Sequence, residues 1–245
     1  MGSAALETRV RDYLASLGAL GLVTAAAPTI TALADRNWAE AWREHFRPLP
    51  VGRRLLVAPP WDLPEKAERV VLVIEPGRAF GTGHHGTTAG CLTLLERVLE
   101  YERPSTAIDL GTGSGILAIA AARLGVPSIF AVDDDPDAVA VAAANARVND
   151  VSARVECRRE DAVALDAPPA PLVLANLLTA THARLAPHYR RLLTPGGALV
   201  LGGILDSEAD AVRERLRGEG LTATDHVSIE GWTSLGFRAP LHDLT

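Results

Sequence analysis

The stretch Asp109-Leu110-Gly111-Thr112-Gly113-Ser114-Gly115 constrains the fold more than any other part of the sequence. It follows a short apolar run and leads into a helix-forming segment, Ile116 to Leu124, which Gly125 ends. A glycine turn from strand to helix lets a ligand approach bare backbone and meet the amide groups of a helix N-terminus. Downstream, short apolar runs go on alternating with longer helical segments. Strands are expected at Thr106 to Leu110, Ser128 to Asp133, Arg154 to Arg158, Leu172 to Ala175 and Ala198 to Ile204. Pro136 to Val148 reads as a helix, opened by Asp135 as its cap and Pro136 in the first turn. A last helix covers Ser207 to Arg217, and two further strands, Thr222 to Ile229 and Trp232 to Arg238, flank Gly231. This alternation predicts an α/β, Rossmann-like fold: a parallel sheet with helices on both faces.

The spacing of the loop narrows its ligand. Dinucleotide-binding turns follow G-x-G-x-x-G, which requires a glycine at position 116, where this chain has Ile116. Here the third glycine is Gly115. Asp109, just before the loop, would repel a pyrophosphate and attract the ammonium of an amino-acid end. The second strand ends in Asp133, about 20 residues after Gly111, where a carboxylate can hold both hydroxyls of a ribose. Asp134 reads as solvated. Glu160-Asp161 follows the third strand, and Asp161 is either an acceptor for an adenine amino group or half of a solvated loop pair. Ribose, adenine and a cationic amino-acid end together describe S-adenosylmethionine better than a nicotinamide cofactor.

Ahead of the sheet, Ala5 to Leu17 has helical apolar spacing, with Gly18 and Gly21 as breakers. Asn37 to Phe46 reads as a second helix whose Trp38, Trp42 and Phe46 recur on one face. Arg54 to Ala58 and Arg69 to Ile74, on either side of a proline-rich turn, suggest a small hairpin. Glycine dominates from Glu75 to Gly86, and a helix from Thr87 to Glu100 turns Leu92, Leu95, Val98 and Leu99 inward. The chain therefore divides into an arm (1–36), a linker helix with hairpin and glycine-rich segment (37–103), and a cofactor-binding domain (104–245).

Composition limits the setting. Two cysteines, Cys91 and Cys157, call for no disulfide framework, which suits the cytoplasm. The apolar run Ala19 to Ala27 is too short to span a bilayer, so no membrane association is expected. A net charge of -6 argues against broad affinity for nucleic acid, leaving at most a local basic patch such as Arg184, Arg190 and Arg191.

The run from Glu75 through Phe80, Gly81, His84 and His85 to Thr88, the glycine loop, and then Ala175-Asn176-Leu177-Leu178 together resemble the ribosomal protein L11 methyltransferase (PrmA) family. The resemblance extends from Asn37 to Arg238 and includes Trp38, Trp42 and Thr194-Pro195-Gly196-Gly197. It implies a seven-stranded class I methyltransferase sheet and methylation of amino groups on a ribosomal protein. It also implies that Thr88, Gly111, Asp133 and Asn176 bind S-adenosylmethionine. That family carries an amino-terminal recognition domain before its linker helix, whereas about three dozen residues precede Asn37 here. The substrate could therefore instead be a non-ribosomal protein or a small molecule.

Methyl transfer from a sulfonium needs alignment and exclusion of water rather than a covalent nucleophile. Asn176, at the end of a strand, is the candidate acceptor for the substrate amine. His85 is the candidate for a hydrogen bond or proton transfer beside it. Asp109, Gly111, Gly113, Asp133 and Asp161 would hold the cofactor, with Phe80 and Gly81 covering it on a glycine-rich lid. No metal site is expected, because adjacent His84 and His85 do not converge on one ion. Leu177-Leu178 offers no aromatic surface on which a nucleic-acid base could stack. A cofactor-binding module without catalysis is the remaining alternative.

Overall fold

The computed structural model describes residues 3–20, 46–76 and 86–241. The chain forms two compact units, Met1–His45 and Phe46–Thr245. In the first, helix α1 (Ser3–Ala19) half-buries Val10, Leu14 and Leu17 at the spacing of one helical face. Gly18 lies inside this helix rather than ending it. Residues 37–45 of the expected aromatic-striped helix lie outside the described residues, and Phe46 sits in irregular chain.

The second unit opens with a small sheet of β1 (Leu49–Val51), β2 (Leu55–Ala58) and β3 (Val70–Val73). The expected hairpin between residues 54–58 and 69–74 is not formed: β2 and β3 are parallel, Leu55 opposite Val70. The hairpin lies one strand earlier, where β1 and β2 run antiparallel across a turn at Gly52. The physical reason is the connection from 59 to 69, which is long enough to carry the chain back to the starting end, as parallel pairing requires.

Next come α2 (Gly86–Tyr101), β4 (Thr106–Leu110), α3 (Ile116–Arg123), β5 (Ser128–Asp133), α4 (Pro136–Val148), β6 (Val155–Arg159) and β7 (Ala170–Asn176). The chain continues with α5 (Thr179–Leu192), β8 (Leu193–Leu205), α6 (Ala209–Gly218), β9 (Thr222–Ile229) and β10 (Trp232–Arg238). The large sheet has the order β6-β5-β4-β7-β8-β10-β9. Its first five strands are parallel, and β10 inserts antiparallel between β8 and β9. Glu230 and Gly231 join β9 to β10 with positive φ at both positions, the backbone that a two-residue hairpin turn demands.

Side chains alternate across the sheet. Ala107, Leu172 and Leu174 face a core completed by Cys91, Leu92 and Leu95 of α2 and the buried alanines of α3. Ile108, Val173 and Ala175 face the opposite core, with Leu185 and Tyr189 of α5 and Val212 of α6. α3 is apolar all round because it is covered on every side, Ile116 through Ala122 being buried. α4 begins as its sequence predicts, with the Asp135 carboxylate accepting from the Asp137 amide at 2.9 Å.

Two side chains fasten the small sheet to this body. Asn149 at the end of α4 pairs like a strand residue with Val73, accepting from its N–H at 2.8 Å and donating to its C=O at 2.7 Å. Glu96 of α2 is 4% exposed, and its carboxylate accepts from the Arg53 amide at 3.0 Å and the Arg54 amide at 3.2 Å. Replacing Glu96 by Ala removes the shared acceptor of two backbone donors that hold this turn on α2. Glu96→Ala should therefore lower unfolding stability by about 2 kcal/mol, read from urea denaturation.

Candidate cofactor and substrate site

Four strands of the large sheet end in one row. Leu110 pairs with Val132 on one side and Ala175 on the other, Asp133 pairs with Arg159, and Asn176 with Gly202. Because β4 lies between β5 and β7, strand order reverses beside it, and a crevice opens at the carboxyl ends of the strands. A cavity of about 550 Å³ fills this crevice. Asp109, Gly111, Gly113, Asp133, Asp161 and Asn176 all line it, together with Thr87, Thr112, Leu177, Leu178, Thr181, Arg184 and Trp232.

The glycine loop follows a path closed to other residues. Gly111 has φ +67°, and a Cβ there would lie 2.3 Å from the Leu177 side chain. Gly115 has φ +82°, and its Cβ would lie 3.1 Å from the Ala142 Cα, so α4 packs directly on the loop. From the same helix, Asn145 Nδ2 donates to the Ser114 carbonyl at 2.8 Å. With the loop so placed, the Gly113 N–H donates to Asp133 Oδ2 at 2.9 Å. The Asp135 N–H donates to the other oxygen, Oδ1, at 3.1 Å. Each of these carboxylate oxygens retains acceptor capacity toward the cavity.

Asp109 is 1% exposed. Its Oδ2 accepts from the Thr112 hydroxyl at 2.7 Å and the Ala118 amide at 3.2 Å, leaving Oδ1 without a partner among the described residues. Burial raises its pKa to about 6, reinforced by the Asp133 charge and opposed by the two hydrogen bonds. Across the cavity, Asn176 Nδ2 donates to Thr88 Oγ1 at 3.2 Å and to Thr87 Oγ1 at 3.4 Å. Its Oδ1 is buried and has no hydrogen-bond partner among the described residues. Thr88 is fully buried behind Asn176, whereas Thr87 lines the cavity. Asp161 is exposed at the rim and accepts from the Val163 amide at 2.9 Å.

Phe80, Gly81, His84 and His85 lie outside the described residues. The sequence pattern did not single out Thr87, Thr181 or Trp232 as cavity residues. Thr181 and Arg184 stand three apart on α5, a helix whose period is masked by Pro187 within it. Two of the three arginines named as a local basic patch, Arg184 and Arg191, have separate surroundings. Arg184 lines the cavity, whereas Arg191 donates to the Leu165 carbonyl at 2.6 Å and pairs with Asp166. Cys91 is pushed up to about 12 and Cys157 to about 11 by burial, so neither is an activated nucleophile.

These features fit S-adenosylmethionine. The cavity has the volume of a small-molecule site. It offers one unpartnered carboxylate oxygen for an ammonium, a two-oxygen acceptor for a ribose, and bare loop backbone between them.

Residues 5–240 match the family described as "Ribosomal protein L11 methyltransferase (PrmA)". The match begins well ahead of Asn37. A ribosomal protein L11 methyltransferase of Trichlorobacter lovleyi is 40% identical over 235 residues, covering 94% of this chain and 76% of the relative. One from Pelobacter propionicus is 44% identical over 192 residues, 76% of this chain and 61% of its own length. Among solved structures, the ribosomal protein L11 methylase of Lactobacillus delbrueckii subsp. bulgaricus superposes with a TM-score of 0.73 at 26% identity. That superposition covers 80% of this chain and 100% of the other. No described helix is long and apolar enough to cross a membrane.

Asp109 makes ligand affinity depend on pH. Because its folded-state pKa is raised from 3.8 to about 6, the ligand-free protein favours the protonated carboxyl between these values. This group's contribution to stability is thus fully present below pH 4 and is lost as the pH rises toward 6. Attraction for an ammonium has the opposite trend, since it needs the ionised form. Calorimetric titration with S-adenosylhomocysteine should show affinity rising from about pH 5 to about pH 7, and Asp109→Asn should weaken binding and flatten that rise.

Proposed function

The chain belongs to the ribosomal protein L11 methyltransferase family, and on that premise we propose that it methylates lysine and/or α-amino groups of ribosomal protein L11 in the cytoplasm, using S-adenosylmethionine. The observation that carries the assignment of the acceptor end is Asn176: its side-chain nitrogen is tied to two threonines and its oxygen is buried without a partner among the described residues.

When bound, S-adenosylmethionine supplies a methyl group on a sulfonium, open to in-line displacement. Asp133, held by the Gly113 and Asp135 amides, accepts from the ribose hydroxyls. Asp109 Oδ1 would accept from the ammonium, and Gly111 and Gly113 would let the methionine portion approach the backbone. Asp161, at the rim, would accept from the adenine amino group. Asn176 Oδ1 and the Asn176 backbone carbonyl accept the N–H groups of the incoming amine and so direct its lone pair. On the sequence pattern alone, His85 is further proposed as a hydrogen-bond or proton acceptor for the amine, and Phe80 and Gly81 as cofactor contacts.

Deprotonating the amine sets the energetic demand. At neutral pH a lysine ammonium costs roughly 4.6 kcal/mol to deprotonate, and an α-ammonium about 1 kcal/mol. A neutral amide suits this step. A carboxylate at position 176 would stabilise the charged ammonium and raise that cost.

The decisive experiment incubates the purified chain and labelled S-adenosylmethionine with ribosomal protein L11 from the same organism, followed by peptide mass spectrometry. L11 should gain methyl groups on amines. An unmodified L11, with label appearing on another lysate protein or a small molecule, would replace the proposed substrate. Asn176→Ala should lower kcat on the order of 10- to 100-fold and, because the same residue is a cofactor contact, weaken S-adenosylhomocysteine binding by a smaller factor than the loss in kcat. Asp133→Ala should do the reverse at the binding step, raising the Kd for S-adenosylhomocysteine by about 100-fold in calorimetry, because two ribose hydroxyls lose their acceptor.

A further inference from the structure

His182 and Tyr189 form a polar pair inside an otherwise apolar core, and none of the steps above uses them. Both lie on α5, seven residues apart, and therefore on one helical face. His182 is 1% exposed and Tyr189 fully buried. The imidazole Nε2 is 2.8 Å from the Gly202 carbonyl and Nδ1 is 2.7 Å from the Tyr189 hydroxyl. A carbonyl can only accept, so Nε2 carries the proton and Nδ1 accepts from the tyrosine O–H. Burial pushes the imidazole down to about 4, against the pull of the Gly202 and Leu177 carbonyls, and the ring is neutral at physiological pH.

The chain of hydrogen bonds ends on a carbonyl that also holds a cavity-lining residue. Gly202 O also accepts from the Leu177 N–H at 3.2 Å, and Gly202 pairs with Asn176 across β7 and β8. The contact is tight: a Cβ on Gly202 would lie 2.9 Å from Asn176 Oδ1, and one on Gly203 would lie 2.2 Å from the Leu177 carbonyl. Apolar residues of similar shape would fill the space under Leu177 without the desolvation cost of a buried imidazole and phenol. What an apolar pair cannot supply is a directed donor to the Gly202 carbonyl.

We infer that His182, oriented by Tyr189, is a positioning residue for methyl transfer: it fixes the Gly202 carbonyl, and through it the Leu177 amide and the Asn176 end of the cavity. The inference rests on Asn176 being the acceptor for the amine. It separates the two ends of the site, since the ribose and ammonium acceptors are held from the glycine loop, α3 and the start of α4, with no hydrogen bond to α5 among the described residues.

The test compares His182→Leu, His182→Gln and Tyr189→Phe with wild type by steady-state kinetics, S-adenosylhomocysteine titration and hydrogen exchange of the peptide containing Leu177. His182→Leu should lower kcat about tenfold and speed exchange at Leu177 by a similar factor, with Kd for S-adenosylhomocysteine within about twofold. His182→Gln, whose amide can donate to the same carbonyl, should recover most of both. Wild-type kcat and exchange in His182→Leu would overturn the inference, as would equal losses in the Leu and Gln variants, which indicate packing alone. Should His182→Leu not fold, Tyr189→Phe removes a single hydroxyl and is read by the same criteria, with faster Leu177 exchange expected and unchanged exchange overturning the inference. Exchange is measured without substrate, so an inactive wild type on L11 would count against the proposed substrate and leave the anchoring separately decided.

Discussion

The hydrogen bond from the Gly113 amide to the Asp133 carboxylate ties the first two strands of the sheet together at the point where both meet the ligand. It forms only if the chain after β4 turns back sharply enough to aim its amides at the end of β5. That path needs positive φ at Gly111, Gly113 and Gly115. It also needs α4 close underneath, where Ala142 leaves room for the loop and Asn145 grips the Ser114 carbonyl. Asn145 Oδ1 in turn accepts from the Glu75 amide at 3.4 Å, so one side chain couples the loop to the chain just before the glycine-rich segment. The acceptor for the ribose, the backbone cradle and the entry to that segment thus depend on a single run of contacts.

This arrangement explains which parts of the molecule were legible in the sequence. The glycine loop, Asp133 and the Asp135 cap are local signals, fixed by residues within a few positions of each other, and the strands of the large sheet announce themselves by apolar runs between helices. Three features escaped because their cause is not local. The direction of β3 depends on a connection of eleven residues and on Asn149, 76 positions away from Val73, and no hairpin pattern encodes that. α5 contains Pro187 and a polar-looking face, so its period is broken although Leu185, Tyr189 and Leu192 are buried. β8 starts at Leu193 rather than Ala198 because Ala170 pairs with Leu193 and draws the Thr194-Pro195-Gly196-Gly197 stretch into the sheet.

The same limit applies at the cavity. Asn176 is conspicuous as a polar residue closing an apolar strand. Nothing nearby in sequence shows that Thr87 and Thr88, nearly 90 positions earlier, hold its amide, or that Thr88 does so from behind while Thr87 faces the cavity. His182 looks like an ordinary helix-surface residue until the register of α5 turns it toward Gly202.

Burial has one consistent effect around this site. It raises Asp109 toward neutrality, raises Cys91 out of the reactive range and drives His182 to its uncharged form. Each shift comes from a medium that solvates charge poorly. An amine brought to Asn176 enters that medium too, where the same penalty favours the loss of its proton. The neutral amide offers acceptors for the N–H groups without supplying a full negative charge to hold the ammonium in place. The acids assigned to the cofactor, Asp109, Asp133 and Asp161, come from β4, β5 and the loop after β6, where an ammonium, a ribose and an adenine amino group need acceptors and no proton has to be lost. Placing carboxylates on those elements and an amide at the end of β7 lets a single cavity bind a cofactor with charged acceptors while keeping a basic amine free to react.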